Sequence, residues 1–286
     1  MKTQLLNALT ALFMLLMPTV NFGQAPDLGA ASSFALFTSA GAFNNVGASV
    51  VTGDIGTYVG VLTGFPPGTV IGDIYYEGDP VAFQAVAAVG AVYTDLSGRT
   101  CGFALGTPFG NGQILTSGVH CIGSAATLEG ELILDGQGNP DALFIIQIGG
   151  ALATSINSSV TLINGASLDN VFWQVGGAFT LGNSAVFRGT VVADGQIELL
   201  EGAALYGRGL TRAGAILLHN NVVNIGAQPI ASVIIADGPT LFCVGESVIL
   251  SGNVGGVWNT GATTGSITVT TSGDYFVTNT NEFGTV

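Results

Sequence analysis

The amino-acid sequence predicts an all-β fold of stacked coils, and two observations support this prediction. Gly150, Gly177, Gly195 and Gly214 each precede a short run in which apolar residues alternate with small or polar ones, at spacings of 27, 18 and 19 residues. Such repetition is typical of solenoids, in which one coil buries its apolar side only against the next. The chain is also 48% hydrophobic and only 8% charged, which favours a packed β protein over a disordered chain.

Alignment on these glycines sorts each run into inner and outer columns, because side chains alternate between the two sides of a strand. The predicted inner columns are Leu152, Phe179, Ile197 and Ile216 and, two residues further on, Thr154, Leu181, Leu199 and Leu218. The residues between them face outward. A solenoid offers long flat faces rather than a pocket, which favours surface binding as the function.

The N-terminus has the pattern of a secretory signal peptide. Lys2 precedes an apolar stretch over residues 5–17, followed by Pro18 and small residues, and we predict a signal peptide of residues 1–24, cleaved near Gly23 or Gln24. About a dozen apolar residues are too few for a membrane span, which needs ~20, and no later segment has the pattern of one. The predicted localisation is secreted and extracellular, with association to a cell surface left open.

The charge balance excludes one class of partner. Removal of residues 1–24 takes away the only lysine, so four arginines remain against 18 acidic residues and the formal charge moves from −13 to −14. Nucleic acids and anionic membranes are bound through Lys and Arg. We therefore expect no nucleic-acid partner.

One segment interrupts the β pattern. Residues 34–56 have the pattern of a first coil, but the alanine-rich stretch after Asp79-Pro80 predicts a helix over about residues 80–98. Because this stretch is apolar on several sides, the helix must lie against the coils, and we expect it to cover Ile145 and Phe172. A Gly/Pro-rich loop over about residues 99–112 follows. Coils then continue to about residue 225, within a domain predicted over residues 25–227.

Residues 228–286 form a separate predicted segment. Short alternating strands at regular spacing follow Gln228-Pro229, which is the rhythm of an immunoglobulin-like β-sandwich. The segment has fewer than 60 residues and stops abruptly at Val286, so we predict an incomplete copy of such a module. The partner of Cys243, and whether the chain continues beyond Val286, stay open.

Cys101 and Cys121 are a candidate disulfide. An exported protein can keep a disulfide bond, and this one would close a loop worth about 3 kcal/mol by the chain-entropy estimate. Two free, buried thiols are the alternative.

Six segments of the sequence carry a family resemblance. In order they read LGAASSFALF, VVTGDIG, YTDLSGR, LILDGQGNPDALFIIQIGG, VTLINGASLDNVFWQVGG and ALYGRGLTRAGAI. Over about residues 27–226 the chain resembles the bacterial and fungal ice-binding proteins of the DUF3494 domain family. The resemblance implies a right-handed, triangular β-helix whose first coil stacks out of sequence order, with a long helix along one face. It also implies adsorption to ice with inhibition of growth and recrystallisation, and a disulfide in the cap loop. The tail resembles sandwich modules of proteins secreted by Bacteroidetes.

Adsorption to ice needs a flat, uncharged face whose methyls and hydroxyls order water, and threonine suits this because it combines a stiff methyl with a hydroxyl that donates and accepts. The candidate ice-binding residues are Ala151, Ala153, Ser155, Ala178, Thr180, Gly182, Gln196 and Ala215. The alternative face is Ser159, Thr161, Ala185, Phe187, Ala204 and Tyr206. Glu198, Glu201 and His219, in the runs after Gly195 and Gly214, introduce hydrated groups beside the later residues of the candidate ice-binding set.

The sequence leaves two other classes of function to consider, an enzyme and an adhesin. An enzyme would need clustered acids or calcium, and Asp135, Asn139 and Asp141 are explained more simply as a Gly/Pro-rich corner. We expect no catalytic residue, no metal site and no cofactor. The serious alternative is an extracellular adhesin that binds ice, polysaccharide or another surface without antifreeze activity. We expect a monomer in either case.

Overall fold

The computed structural model describes residues 23–226, 232–241, 245–281 and 284–285. Almost all of the predicted signal peptide therefore lies outside the described residues, as does Cys243. Residues 34–224 form a three-sided β-helix of parallel strands with one long helix alongside. The predicted fold class is thereby confirmed. We call its sides the helix face, the candidate face and the third face.

Each face is a ladder of short strands, numbered here in chain order. The helix face holds β1 (Phe34–Thr38), β4 (Asp54–Thr57), β7 (Ile74–Tyr75), β8 (Phe103–Ala104), β11 (Gly118–Ile122), β14 (Phe144–Ile148), β17 (Val171–Val175) and the second halves of β19 (Val186–Ala193) and β21 (Ala204–Thr211). The candidate face holds β2 (Phe43–Val46), β5 (Leu62–Thr63), β9 (Phe109–Gly110), β12 (Ala126–Glu129), β15 (Leu152–Thr154), β18 (Phe179–Leu181), β20 (Ile197–Leu199) and β22 (Ile216–His219). The third face holds β3 (Val50–Thr52), β6 (Thr69–Ile71), β10 (Gln113–Thr116), β13 (Glu131–Asp135), β16 (Ser159–Ile163), the first halves of β19 and β21, and β23 (Val222–Asn224).

The first coil does not stack in sequence order. Strands β1, β2 and β3 pair on one side with β21, β22 and β23 of the last coil, and on the other with β4, β5 and β6 of the second coil. Residues 34–52 therefore lie between the end of the solenoid's chain and its second coil, as the resemblance implied. The β8–β10 coil forms one end of the stack, called the cap end, and the β4–β7 coil forms the far end.

The four glycines that set the repeat lie at the corner between the helix face and the candidate face. A Cβ added to Gly150, Gly177 or Gly195 would lie 2.7–2.9 Å from a backbone nitrogen of the neighbouring coil. Gly41 and Gly60 extend this column toward the far end, where an added Cβ would meet a neighbouring glycine carbonyl. Close backbone approach between coils explains the glycines. At the next corner, Asn157, Ser184 and Asn220 take left-handed conformations with φ of 57°, 55° and 54°, which Asn tolerates better than most residues.

The helix α1 (Pro80–Gly98) has the predicted bounds. Asp79 Oδ1 accepts a hydrogen bond from Val81 N at 2.8 Å, and Pro80 occupies the first turn, where no N–H is needed. Its buried residues pack on outward side chains of the helix face that include Ile145 and Phe172, as predicted. The buried residues of α1 are Ala82, Ala85, Val89, Val92 and Leu96. Within the described part of the chain, α1 is the one helix long and apolar enough to cross a membrane by length and composition.

Polar contacts fix α1 in place. Gln147 Nε2 donates to Leu96 O and Arg99 O at 2.7 and 2.8 Å, so the end of the helix is tied to β14. Gln174 Nε2 donates to the Tyr93 hydroxyl at 3.0 Å. The Arg212 guanidinium lies 4.5 Å from the Tyr93 ring centroid, a cation–π distance.

The cap end is closed by the segment that follows α1. A disulfide joins Cys101 to Cys121 across 20 residues, as predicted, and β8 pairs with β11 beside it. The His120 ring lies under Phe103, with ring centroids 5.0 Å apart.

The tail is a set of small antiparallel sheets. In the described part of residues 228–286, one sheet has the order β24 (Ile235–Ala236), β25 (Val248–Ser251), β27 (Ser266–Val269), and another pairs β26 (Val257–Trp258) with β28 (Val277–Thr278). Val248, Leu250, Trp258 and Val269 form a small buried cluster. The assignment to an immunoglobulin-like sandwich stays a prediction. A third pair joins β29 (Thr280–Asn281) to β30 (Gly284–Thr285).

Candidate functional site

Pairing across the candidate face places its outward residues in straight columns. The middle column, in stacking order from the cap end, is Thr127, Ala153, Thr180, Glu198, Leu217, Asn44 and Thr63. The first column, beside the glycine corner, is Ala125, Ala151, Ala178, Gln196, Ala215, Ala42 and Val61. Inward, Leu152, Phe179, Ile197 and Ile216 are stacked and buried, as predicted. These two columns therefore span seven rungs, about 4.8 Å apart, and β9 lies beyond the first of them at the cap end.

The first three of these seven rungs, on β12, β15 and β18, carry only small, neutral side chains in the two columns. Ala151 and Ala153 are exposed, while Ala178 and Thr180 are half-buried. Ala125 and Thr127 complete the patch and were not among the sequence-predicted residues. The signal was present, because the run ATLE between Gly123 and Gly130 alternates like the others. We call these six residues the cap-side patch.

Of the remaining predicted residues, one is misplaced. Ser155 is half-buried at the edge of the cap-side patch, and Gln196 and Ala215 lie further along the first column. Gly182 is buried, so its prediction as a surface residue is wrong. Its N–H donates to Thr154 Oγ1 at 2.9 Å, and an added Cβ would lie 2.7 Å from Ser155 O. The chain is already turning the corner at this point.

The fourth rung is polar and charged. Gln196 Nε2 donates to Glu198 Oε2 at 3.3 Å, and His219 Nε2, one rung further, lies 3.7 Å from Glu198 Oε1. Beyond it, Thr63 Oγ1 donates to Asn44 Oδ1 at 2.7 Å. Glu201 lies at the corner, where its Oε1 accepts from Asn220 Nδ2 at 2.8 Å.

The third face corrects the alternative prediction. Ser159, Thr161, Ala204 and Tyr206 do lie on its outer side and are half-buried. Ala185 and Phe187, however, are 0% and 1% exposed and belong to the core. Val186 pairs with Ser159 and Ala204, and Arg188 pairs with Tyr206, so Val186 and Arg188 are the residues of β19 that face outward here.

The third face is chemically mixed. The Arg188 guanidinium lies 5.3 Å from the Tyr206 ring centroid and its Nη1 donates to Val160 O at 2.7 Å. Thr161 Oγ1 donates to Glu131 Oε1 at 2.7 Å. Charged and aromatic groups therefore interrupt this face along its length.

The acidic corner considered as a calcium loop is built as a turn. Asp135 Oδ1 accepts from Gln137 N at 2.8 Å and from Asn164 Nδ2 at 2.9 Å. Asn139 Oδ1 accepts from Asp141 N at 3.0 Å. These oxygens serve the corner between β13 and β14. The described residues bring no three His, Cys, Asp or Glu side chains into a metal-binding group.

His120 lies away from the candidate face, at the cap end. Its side chain is 3% exposed, Nε2 lies 2.8 Å from Thr116 O, and Nδ1 is buried without a hydrogen-bond partner. Burial lowers the pKa of His120, and the bond to Thr116 opposes this only in part.

A rigid three-sided solenoid with one face covered by a helix and another left flat, small and largely neutral defines a surface-binding protein. The chain belongs to the ice-binding-like family, whose sequence model matches residues 37–224. It is 39% identical over 200 residues to an ice-binding protein of Nostoc sp. (strain HG1), covering 69% of this chain and 73% of that protein. A Colwellia sp. ice-binding protein is 30% identical over 248 residues, covering 78% and 96% of the two chains.

Solved structures agree with this assignment. The crystal structure of an ice-binding protein from an Antarctic biological consortium matches with a TM-score of 0.69 and 32% identity, covering 73% of this chain and 95% of that one. The crystal structure of an ice-binding protein from the Antarctic ascomycete Antarctomyces psychrotrophicus matches with a TM-score of 0.68 and 35% identity, covering 72% of this chain and 100% of that one. This family is not known for enzymes.

Proposed function

We propose that this protein is exported and adsorbs to ice through the cap-side patch, thereby inhibiting ice growth and recrystallisation. The observation that carries the proposal is the pair of in-register columns Ala125–Ala151–Ala178 and Thr127–Ala153–Thr180. Their small side chains leave a flat surface on which methyl groups and threonine hydroxyls hold water in place. Ordered water of this kind bridges a protein to a lattice at small entropic cost.

Rigidity beneath the patch supports the proposal. Thr180 stands on β18, which pairs on both sides, and its neighbours Phe179 and Leu181 are fully buried. The backbone that presents the methyls and hydroxyls is therefore fixed on both edges. A pre-ordered surface loses little conformational entropy when it binds.

The proposal is tested on ice crystals grown in the purified protein. We expect faceted crystals and thermal hysteresis for the unaltered chain. Thr180→Tyr and Ala178→Tyr should each remove most of the hysteresis, because a bulky ring prevents flat contact. Ser159→Tyr, the matched change on the third face, should leave it intact. Loss with Ser159→Tyr alone would transfer the site to the third face, and the absence of any shaping by the unaltered protein would reject ice binding.

Failure of ice shaping would favour the adhesin alternative. A secreted solenoid joined to a β-rich tail suits attachment to a surface, and binding to a glycan array would then support polysaccharide as the ligand.

Export of the protein is tested separately. The full chain should be recovered from the medium of an expressing culture with Gly23, Gln24 or Ala25 as its first residue by mass spectrometry, whereas intact Met1 would contradict the predicted signal peptide.

A further inference from the structure

The small residues of the cap-side patch reappear beyond the middle of the candidate face. In the first column, Ala215 and Ala42 occupy the fifth and sixth rungs, so five of the first six positions are alanine and Gln196 alone interrupts them. In the middle column, Asn44 and Thr63 are short neutral side chains on the last two rungs. The charge in these two columns therefore falls on one rung, that of β20, while the next rung places Leu217, a larger but neutral side chain, in the middle column.

The interrupting carboxylate is held on the face. Glu198 is the single charged residue in the first and middle columns, and its side chain is 27% exposed. Gln196 Nε2 contacts one of its oxygens and His219 Nε2 faces the other, at 3.3 and 3.7 Å. These partners lie on its own rung and the next, so they keep the carboxylate over the columns rather than letting it turn away into solvent.

A carboxylate at this position disturbs an ordered water layer. An ionised carboxylate only accepts hydrogen bonds, whereas a threonine hydroxyl both donates and accepts. Taking the carboxylate's own hydration water away carries a large free-energy cost unless a partner replaces it. Water over the β20 rung is thus bound to Glu198 in an arrangement that Thr180 and Ala153 do not impose.

We infer that the Glu198–Gln196 rung limits ice adsorption to the cap-side patch, and that the rungs beyond it are a latent extension of the same surface. This inference rests on the proposed function. Glu198 is then the residue that sets the size of the ice-binding area, and its removal should increase activity. A gain is informative because a variant that merely disturbs folding loses activity.

The test is the double variant Glu198→Thr/Gln196→Ala, compared with the unaltered chain at equal concentration and at pH 8. We expect thermal hysteresis to rise roughly twofold, because apolar contact scales with area and the charge-free part of the two columns grows from three rungs to seven. Glu198→Gln, which removes the charge but keeps the shape, should give a smaller rise. Glu131→Thr on the third face removes one charge from a neighbouring ladder and should change nothing.

Each other result decides against the inference. If neither Glu198 variant raises the hysteresis while Thr180→Tyr still removes it, the β20 rung does not limit adsorption and the proposed function stands. An equal rise with Glu131→Thr would attribute the effect to net charge. No ice shaping by the unaltered chain would reject the proposed function and the inference together. Circular dichroism of the double variant, with Glu198→Gln as the isosteric substitute, shows whether the fold is kept.

Discussion

The helix face and the candidate face are ladders of the same parallel strands over the same core, yet one is covered and the other is bare. On the helix face the outward side chains are bulky and apolar, and Ile145, Phe172 and Leu210 pack against α1. In the cap-side patch of the candidate face, the outward positions hold only Ala or Thr. Large apolar side chains need a cover to leave water, whereas methyl-sized ones gain little from it. The size of the outward residue thus decides which face meets its ligand.

The arginine side chains are also distributed unevenly between the covered face and the bare one. Arg99 Nη2 donates to Gln24 O at 3.0 Å and contacts Asp95, and Arg208 Nε donates to Ser32 O at 3.0 Å. Arg212 contacts Asp194 at 3.5 Å beside Tyr93. These three arginines fasten α1 and the segment before β1 to the helix face, and Arg188 lies on the third face. Within the described residues, the candidate face carries no Lys or Arg.

The largest expected difference between the two faces is the loss of stability when a side chain on the covered helix face is truncated. Phe172→Ala should lower the free energy of unfolding by about 3–5 kcal/mol, because it leaves a cavity between α1 and β17. Thr180→Ala on the bare face should change it by no more than about 0.5 kcal/mol. Urea denaturation followed by circular dichroism measures both. Similar losses from the two changes would mean that the candidate face is also covered.

The disulfide is expected to have the next largest effect. The double change Cys101→Ala/Cys121→Ala opens a loop with a separation of 20 residues and should cost about 3 kcal/mol. Denaturation with a reducing agent should lower the stability of the unaltered chain by a similar amount and leave the double variant unaffected. Equal stability of reduced and oxidised protein would show that the cap is held without the bond.

Glycine supplies a matched pair of smaller effects. Gly177→Ala at the corner should cost about 1–3 kcal/mol, because the new Cβ would lie 2.9 Å from Ala151 N. Gly90→Ala in the middle of α1, where an added Cβ meets nothing within 4 Å, should instead stabilise the protein by about 0.5–1 kcal/mol. The same substitution therefore has opposite signs on the two features. A stabilising Gly177→Ala would contradict close coil contact at this corner.

Much of this architecture was readable from the sequence, because it depends on local rules. The glycine spacing located a corner, alternation located the inner columns, and Asp79-Pro80 located the start of α1. The placement of residues 34–52 between distant parts of the chain leaves no local pattern, and only the family resemblance implied it.

The misassigned residues on the third face show where alternation fails. From Thr154, Leu181 and Leu199 at the ends of candidate-face strands, the first outward residue of the third face comes five positions later each time, at Ser159, Val186 and Ala204. A left-handed residue such as Ser184 (φ 55°) sits inside each step, so alternation does not run through the corner. Counting that constant step would have identified Val186 rather than Ala185 or Phe187.

The smallest expected effect is the loss of stability at acidic pH caused by His120 at the cap end. Burial lowers the pKa of His120, so the folded protein resists a proton that the unfolded chain accepts near pH 6.5. Stability should therefore be constant above this pH and fall as the pH drops below it, until the folded-state pKa is reached. A single group changes the unfolding free energy by at most about 1.4 kcal/mol per pH unit.

His120→Gln keeps a donor for Thr116 O without titrating. In denaturation experiments between pH 7 and pH 5, it should therefore reduce the dependence of the unfolding free energy on pH. An unchanged slope in the variant would assign the acid sensitivity to other groups. Ice shaping at either pH should be the same for both proteins as long as they are folded, because the cap-side patch does not include His120.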